Sequence, residues 1–315
     1  MSEKFGIALF PLQIILIRYF LTCLIIDLST TLGRLRYQAL YYSQAVPALL
    51  RQQRITFKRD LRTEFRFKLT PKLRQEYASL FGSSEHSVPY TYHWPCSVLA
   101  FLDTMNRMGV AYKNILHLTF SQKVRRDDPF KSDGVYFVTT SFDRLRPYSQ
   151  DKLVFEGKTT VSDGNGVVLT NKNRILVKNV TPGDWKKLGM EPDSKLKTKL
   201  QKQFALTDEI SQSSELFFPP SMGQNFGKIS GDLNPVHLSP LLARFFGYSQ
   251  PFLQGLGTAN ALIAQLANLH KSPRHIKILF TQPVLLGKKM TFKISSDFIS
   301  LQCSNGKDLV VGHYD

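Results

Sequence analysis

Cysteine is scarce in this chain of 315 residues, which has three: Cys23, Cys96 and Cys303, far apart in the sequence. An odd number of widely spaced cysteines excludes a disulfide framework, and no Cys-x-x-Cys or His-x-x-x-His pair indicates a metal cluster. We therefore expect a reducing compartment and no bound metal.

Acidic residues are also few, at 24 Asp and Glu against 41 Lys and Arg, which gives a formal net charge of +17. Such a surplus predicts an acidic partner: nucleic acid, an anionic membrane, or a carrier or substrate that bears phosphate. No zinc-finger spacing or aromatic RNA-recognition signature accompanies the charge, so we expect no nucleic-acid partner. With 43% hydrophobic residues, the chain is globular and long enough for two domains.

The sequence lacks an uninterrupted apolar run of membrane-spanning length. Residues 5–26 are the most hydrophobic stretch, but Pro11, Gln13 and Arg18 interrupt it, and no small-residue cleavage site follows. Basic residues then alternate with apolar ones to about residue 50. We predict that residues 1–53 form a hydrophobic and basic helical extension, which rests on a membrane surface through residues 5–50 or against the body of the protein. The expected location is cytoplasmic, with or without membrane association.

Residues 54–180 have the pattern of a first α+β domain. Residues 63–69 alternate apolar and polar side chains, Thr70-Pro71 begins a short helix at 72–80, and residues 94–108 have the apolar face of a second helix. Asp133-Gly134 and the turn at 163–166 then separate hairpin strands. The four strands predicted after the helix are 114–124, 135–143, 152–161 and 167–178.

Residues 203–315 repeat this order. A strand at 211–218 precedes a helix at 258–270 that is apolar on nearly all sides, and four more strands follow. Residues 181–202, with Pro182-Gly183 and a lysine-rich end, have no apolar period and are predicted to be a solvated linker between the two domains. The four final strands are predicted at 274–282, 289–296, 297–304 and 308–314.

The chemistry is concentrated in residues 226–257. Asp232 and His237 flank an Asn-Pro turn, where a carboxylate and an imidazole can share one water molecule. Ser239 and Pro240 are typical of a helix start. The N–H of Gly255, at the start of the later helix, is suited to hold a developing oxyanion. A base, an acid and an oxyanion donor together predict proton transfer beside a carbonyl group.

These residues also carry a family resemblance. The pattern Phe226-x-x-x-Ser230-Gly231-Asp232-x-Asn234-Pro235-Val236-His237, with Ala243 after five more residues, resembles the hydratase signature of MaoC-like (R)-specific enoyl-CoA hydratases. Residues 247–256 are similar to the segment that follows it in the family, except that Gln254 stands where the family usually has His.

The resemblance implies an α+β double hot-dog fold, in which two antiparallel sheets each wrap a central helix. The first half lacks the catalytic motif, but residues 87–95 resemble the corresponding region of the non-catalytic half in double hot-dog dehydratases. That likeness implies that Tyr92 and His93 line the acyl pocket. The two halves would form a pseudo-dimer within one chain, and two chains a homodimer.

The implied activity is that of a hydro-lyase, which interconverts trans-2-enoyl and (R)-3-hydroxyacyl thioesters of coenzyme A or acyl carrier protein. Asp232, His237 and Asn234 would be catalytic, and Gly255, Gly231 and Gln254 would bind the oxyanion or substrate, with no metal or organic cofactor. A non-catalytic acyl-binding module and a thioesterase on the same fold are the two alternatives.

Overall fold

The computed structural model describes residues 25–55, 61–83, 94–126, 130, 134–192, 195–205 and 209–315. The interrupted hydrophobic stretch up to residue 24 therefore lies outside the described residues, and so do Tyr92 and His93.

The first half begins with β1 (Ile25–Ile26) and α1 (Thr31–Leu50), so the predicted extension is helical over this part. The side chain of Thr30 accepts a hydrogen bond from the Gly33 N–H, which caps α1. The elements that follow are β2 (Leu61–Leu69), α2 (Pro71–Phe81), α3 (Trp94–Met108), β3 (Ile115–Val124), β4 (Gly134–Ser149), β5 (Lys152–Asp163) and β6 (Gly166–Val177).

The second half has the same order of strands and a similar long helix. Short helices precede that long helix. Pro235 and Pro240 each begin one of them, and each of these helices ends within six residues. The elements are α4 (Pro182–Leu188), α5 (Lys195–Gln203), β7 (Gln212–Phe217), α6 (Met222–Ser230), α7 (Pro235–Leu238), α8 (Pro240–Phe245), α9 (Gly255–Asn268), β8 (His275–Phe280), β9 (Lys289–Ile294), β10 (Phe298–Cys303) and β11 (Asp308–Tyr314).

The strands form one continuous sheet in the order β1-β2-β4-β5-β6-β3-β8-β11-β10-β9-β7. Counted within each half, from β2 and from β7, the spatial order is the same: first, third, fourth, fifth, second. The predicted internal repeat is therefore present in the topology. The two predicted sheets are joined where β3 pairs antiparallel with β8, with Thr119 opposite Leu279.

The long helix of each half packs on the sheet. The helix α3 contacts β2 and β4 and buries Leu99, Leu102 and Met105. The helix α9 contacts β3 and α2 and buries apolar side chains on nearly all sides, as the sequence predicted. Because α9 contacts a strand and a helix of the first half, the two halves share one hydrophobic core.

The segment predicted to be a solvated linker contains two helices. Thr181 and Asp184 form a capping box at the start of α4, and the Trp185 Nε1 donates to the Gln150 carbonyl at 2.7 Å. In α5 the lysines are exposed, but Leu200 is buried in a cluster on the sheet with Leu118 of β3 and Leu279 of β8. This segment therefore bridges both halves of the sheet.

The helix α1 packs on α3 and buries one face, through Tyr37, Tyr41, Ala45 and Ala48. The extension was predicted to rest either on a membrane surface or against the body of the protein, and its helix α1 rests against the body. Large apolar side chains on its other face are exposed: Leu32, Leu35, Tyr42, Val46 and Leu50. Within the described residues, no helix combines the length and the apolar character needed to cross a bilayer.

Candidate active site

The loop that bears Asp232 begins where α6 ends. Gly231 adopts the left-handed conformation, with φ 72° and ψ 7°, and its N–H donates to the Gly227 carbonyl at 2.9 Å. Glycine suits this position because other residues pay a steric cost at positive φ. The Asp232 N–H then donates to the Ser230 Oγ at 3.2 Å, which turns the chain into the loop.

Asn234 organises the next turn. Its Oδ1 accepts from the Val236 N–H at 3.3 Å and caps α7, while its own N–H donates to the Asp232 Oδ1 at 3.4 Å. His237 consequently lies in the short helix α7, after the Asn-Pro turn. Asn234 thus fixes the carboxylate and the helix that carries the imidazole.

The imidazole of His237 is buried, with 7% of the residue exposed, and its orientation is set by Phe252. The His237 Nδ1 lies 2.9 Å from the Phe252 carbonyl oxygen, and the Phe252 ring packs edge-on at 4.6 Å. A carbonyl only accepts hydrogen bonds, so Nδ1 is the protonated nitrogen and Nε2 of the neutral ring has a free lone pair. Nε2 is therefore the atom available to accept a proton.

Burial acts in opposite directions on the two titratable groups. Burial lowers the pKa of His237, while the nearby Asp232 carboxylate and the Phe252 carbonyl partly oppose this shift. Burial raises the pKa of Asp232, which His237 and the Asn234 N–H partly offset. The two groups are close enough to interact electrostatically. A neutral imidazole beside a carboxyl that protonates more readily than usual is suited to acid–base chemistry.

Gln254 is fully buried and joins the loop to the start of α9. Its Nε2 donates to the Gly223 carbonyl at 2.9 Å and to the Asp232 carbonyl at 3.2 Å. Both of these bonds are to backbone, so the amide nitrogen supports the loop. Gly255 comes next as the first residue of α9, where helix geometry leaves the N–H without a partner in the helix.

A residue of the first half contacts Gly255. A Cβ at position 255 would lie 3.1 Å from Nδ1 of His117, which stacks on Trp94 at 6.1 Å and pairs through Nε2 with the Asn173 Oδ1 at 3.0 Å. Burial lowers the pKa of His117 to about 4, so its ring is neutral near pH 7. No local sequence pattern singles out His117, because its contact with Gly255 joins positions 138 residues apart.

Tyr37 of α1 is a second residue that the sequence did not single out. Its Oη donates to the Gly231 carbonyl at 2.9 Å, and its ring lies against the Gly231 Cα. Tyr37 also lines a cavity of about 230 Å³ whose wall includes Leu40, Phe65 and Leu99, with Arg36 also lining it. This cavity lies between α1, β2 and α3.

The structure thus brings Gly231, Asp232, Asn234, His237 and Gln254 into one connected group, with Gly255 adjoining it. Tyr92 and His93, predicted to line the acyl pocket, lie outside the described residues. In the part of the chain that the structure describes, no three His, Cys, Asp or Glu side chains are grouped closely enough to hold a metal ion.

Comparison with known proteins finds a family similarity in the second half. A family model described as a MaoC like domain matches residues 187–300. This part of the chain is therefore similar to a MaoC-like domain. The matched region begins inside α4, earlier than the predicted boundary at residue 203, and it contains every residue of the loop described above.

Two relatives match parts of this chain. The peroxisomal multifunctional enzyme type 2 of Drosophila melanogaster is 29% identical over 97 residues, which cover 28% of this chain and 16% of the relative. The 3-hydroxyacyl-thioester dehydratase X of Mycobacterium tuberculosis is 30% identical over 67 residues, 21% of this chain and 24% of the relative. The matches therefore span about a quarter or less of the relatives' own lengths.

Solved structures match more of the chain. The crystal structure of HtdX of Mycobacterium tuberculosis covers 83% of this chain and 99% of its own, with a TM-score of 0.59 and 18% identity. A conserved hypothetical protein of the same organism, described as having a double hot-dog fold, covers 82% and 96%, with a TM-score of 0.52 and 13% identity. The predicted double hot-dog fold is confirmed.

Proposed function

We propose that this MaoC-like protein is a hydro-lyase that reversibly hydrates trans-2-enoyl thioesters to (R)-3-hydroxyacyl thioesters. The observation that carries the proposal is the pairing of the half-buried Asp232 with the buried His237, whose imidazole is oriented by the Phe252 carbonyl so that Nε2 is free to accept a proton. A solvent-exposed or misoriented imidazole would not support this chemistry.

In the hydration direction, a water molecule lies between Asp232 and His237. Nε2 of His237 takes one proton from this water, and the oxygen forms a bond to the β-carbon as the carbon–carbon double bond breaks. The α-carbon receives a proton from the Asp232 carboxyl, whose raised pKa favours a proton-bearing form. Transfer of the His237 proton to Asp232 restores both groups, and both new bonds form on one face of the substrate.

The negative charge that develops on the thioester oxygen is stabilised by the N–H of Gly255 and by the N-terminal end of α9. The thioester acidifies the α-proton, so the reaction requires no organic cofactor and no metal. Asn234 and Gln254 act on the backbone around Asp232 and hold the acid–base pair in place.

An acyl thioester suits the surroundings of the site. The cavity beside Tyr37 would give an acyl chain room to extend along Leu40, Phe65 and Leu99, and its wall also includes polar residues, Asp27, Thr30 and Arg36. The relative named as a 3-hydroxyacyl-thioester dehydratase supports the same substrate class. A net charge of +17 favours an acidic carrier, either the phosphates of coenzyme A or an acyl carrier protein.

The same charge, with the exposed apolar side chains on the outer face of α1, supports peripheral contact with an anionic membrane. On the basis of its cysteine content, we place the protein in the cytoplasm. The proposed catalytic unit is the pseudo-dimer of the two halves, and the proposed assembly is a homodimer of chains.

The test follows the ultraviolet absorbance of the conjugated enoyl thioester, with short- and long-chain substrates on coenzyme A and on acyl carrier protein. Wild type should consume the absorbance, and Asp232→Asn and His237→Ala should each be slower by about 10²-fold or more. His270→Asn, a change at an exposed histidine with positive φ, is the matched control and should retain full activity.

Two other outcomes would overturn the proposal. Release of free thiol without hydration would assign a thioesterase. Tight binding of acyl thioester without turnover on either carrier would assign a non-catalytic acyl-binding module.

A further inference from the structure

The carbonyl groups at the end of α6 are satisfied by tyrosines from the first half of the chain. A helix leaves its last carbonyls without intrahelical partners, and here two of them lie beside the acid–base loop. The Oη of Tyr77 in α2 lies 3.5 Å from the Ile229 carbonyl oxygen, and the Oη of Tyr37 in α1 lies 2.9 Å from that of Gly231. The Tyr37 bond is the shorter one and is adjacent to Asp232.

We propose that Tyr37 is a positioning residue for Asp232, which makes the N-terminal helix α1 a part of the active site. The inference rests on the proposed hydratase function for its catalytic consequence. Its structural content, that the Tyr37 hydroxyl holds the Gly231–Asp232 peptide, is independent of which reaction the site performs.

The peptide between Gly231 and Asp232 is held at both of its polar ends. Its carbonyl accepts from the Tyr37 Oη at 2.9 Å, and its N–H donates to the Ser230 Oγ at 3.2 Å. Fixing both ends of a peptide plane fixes the Cα of the residue that follows. The direction in which the Asp232 carboxyl leaves the backbone is thereby set by Tyr37 and Ser230 together.

Tyr37 is rigid enough for this role. It is 4% exposed, it lies on the face of α1 that packs on α3, and its Oη is also 3.3 Å from the Pro95 carbonyl oxygen. Burial, and next the charge of Asp232, raise the pKa of the Tyr37 hydroxyl well above its usual range, so it remains a donor wherever the protein is folded.

The same helix offers a matched control. Tyr41, one turn further along α1, is fully buried, and its Oη pairs with the Tyr112 Oη at 2.9 Å. The variants Tyr37→Phe and Tyr41→Phe each remove one buried hydroxyl and keep the ring. Only the first removes a donor to the backbone of the acid–base loop.

The experiment uses the full chain and two measurements. In steady-state hydration, Tyr37→Phe should lower kcat by about tenfold or more with KM nearly unchanged, whereas Tyr41→Phe should stay within about threefold of wild type. In hydrogen–deuterium exchange by mass spectrometry, peptides that cover residues 229–237 should exchange faster in Tyr37→Phe and at the wild-type rate in Tyr41→Phe.

The two measurements separate the possible failures. If the wild type has no hydratase activity but loop exchange rises only in Tyr37→Phe, the positioning role stands and the proposed reaction fails. Equal exchange in all three proteins would overturn the positioning role. So would equal losses of kcat in both variants, because they would reflect general destabilisation.

Discussion

Gly231→Ala tests the contact on which the geometry of the loop depends. An added Cβ at this position would lie 2.4 Å from Cζ and 2.5 Å from Cε1 and Oη of Tyr37. Real Cβ atoms are not found at such distances, so either the tyrosine ring or the loop has to move. The ring is buried between α1 and the core and has little room, so we expect the loop to be displaced.

The expected cost has two physical sources. Alanine at φ 72° costs about 1–2 kcal/mol relative to glycine, because its Cβ crowds the carbonyl oxygen. Overpacking a buried contact adds about 1–3 kcal/mol. The free energy of unfolding should therefore decrease by about 2–5 kcal/mol, a large part of the stability of a typical domain.

Gly189→Ala isolates the first source. Gly189 also ends a helix in the left-handed conformation, with φ 62°, but a Cβ there would meet no atom within 4 Å. This control should lose about 1–2 kcal/mol and retain full hydratase activity. Gly231→Ala should lose more stability and, because Asp232 is displaced, most of its kcat.

Urea unfolding followed by circular dichroism gives the free energies, and enoyl-thioester absorbance gives kcat on the same preparations. Equal destabilisation of the two alanine variants would refute the steric contact between Gly231 and Tyr37. Wild-type kcat in Gly231→Ala would refute the view that this contact sets the position of Asp232.

Two further predictions concern charge. Because the pKa of His117 is about 4 in the folded protein against 6.5 in an unfolded chain, the unfolded chain binds the proton first and stability decreases as pH falls from 6.5 towards 4. Over this pH range, the free energy of unfolding measured in urea should decrease by up to about 3 kcal/mol more for the wild type than for His117→Gln. An equal dependence of stability on pH in the two proteins would contradict the lowered pKa of His117. The wild type should also sediment with anionic vesicles more than with neutral ones, and the double variant Leu35→Ser, Val46→Ser should bind less; equal binding of both proteins would exclude α1 as the contact.

The sequence predicted the architecture well where a local pattern determines the structure. Alternation of apolar and polar residues located β2, the apolar faces located α3 and α9, and glycine turns located the hairpins. The repeated order of a strand, a helix and four strands follows from these patterns alone. Pairing of β3 with β8 joins residues more than 150 positions apart, and no local pattern specifies it.

In the segment at 181–202, an apolar helical face was present in the sequence but was not recognised. Its lysines and prolines suggested a solvated linker, and the lysines are indeed exposed. However, Leu196, Leu200 and Phe204 recur every four residues, which is the spacing of one helical face, and they pack on the sheet. The many charged residues made this apolar face, with one residue per helical turn, difficult to recognise in the sequence.

The site itself was predictable only in the part that one loop contains. The resemblance placed Asp232, Asn234 and His237 together because they are neighbours in sequence. The groups that orient them come from elsewhere: Phe252 sets the imidazole, and Tyr37 sets the peptide before Asp232. Tyrosine and phenylalanine have no sequence signature for such a role, because their contacts depend on the tertiary packing of α1 and of the segment before α9.

This division explains why a half without the acid–base motif is physically necessary to the site. A loop of four residues, 231–234, between two short helices has too few internal hydrogen bonds to fix a carboxylate against an imidazole. The first half supplies the missing constraints: α1 and α2 provide tyrosine hydroxyls for the end of α6, and β3 provides His117 beside Gly255. Pairing of β3 with β8 joins the two halves in one sheet, and their shared core packs the helices of the first half against the loop that carries the candidate acid–base pair.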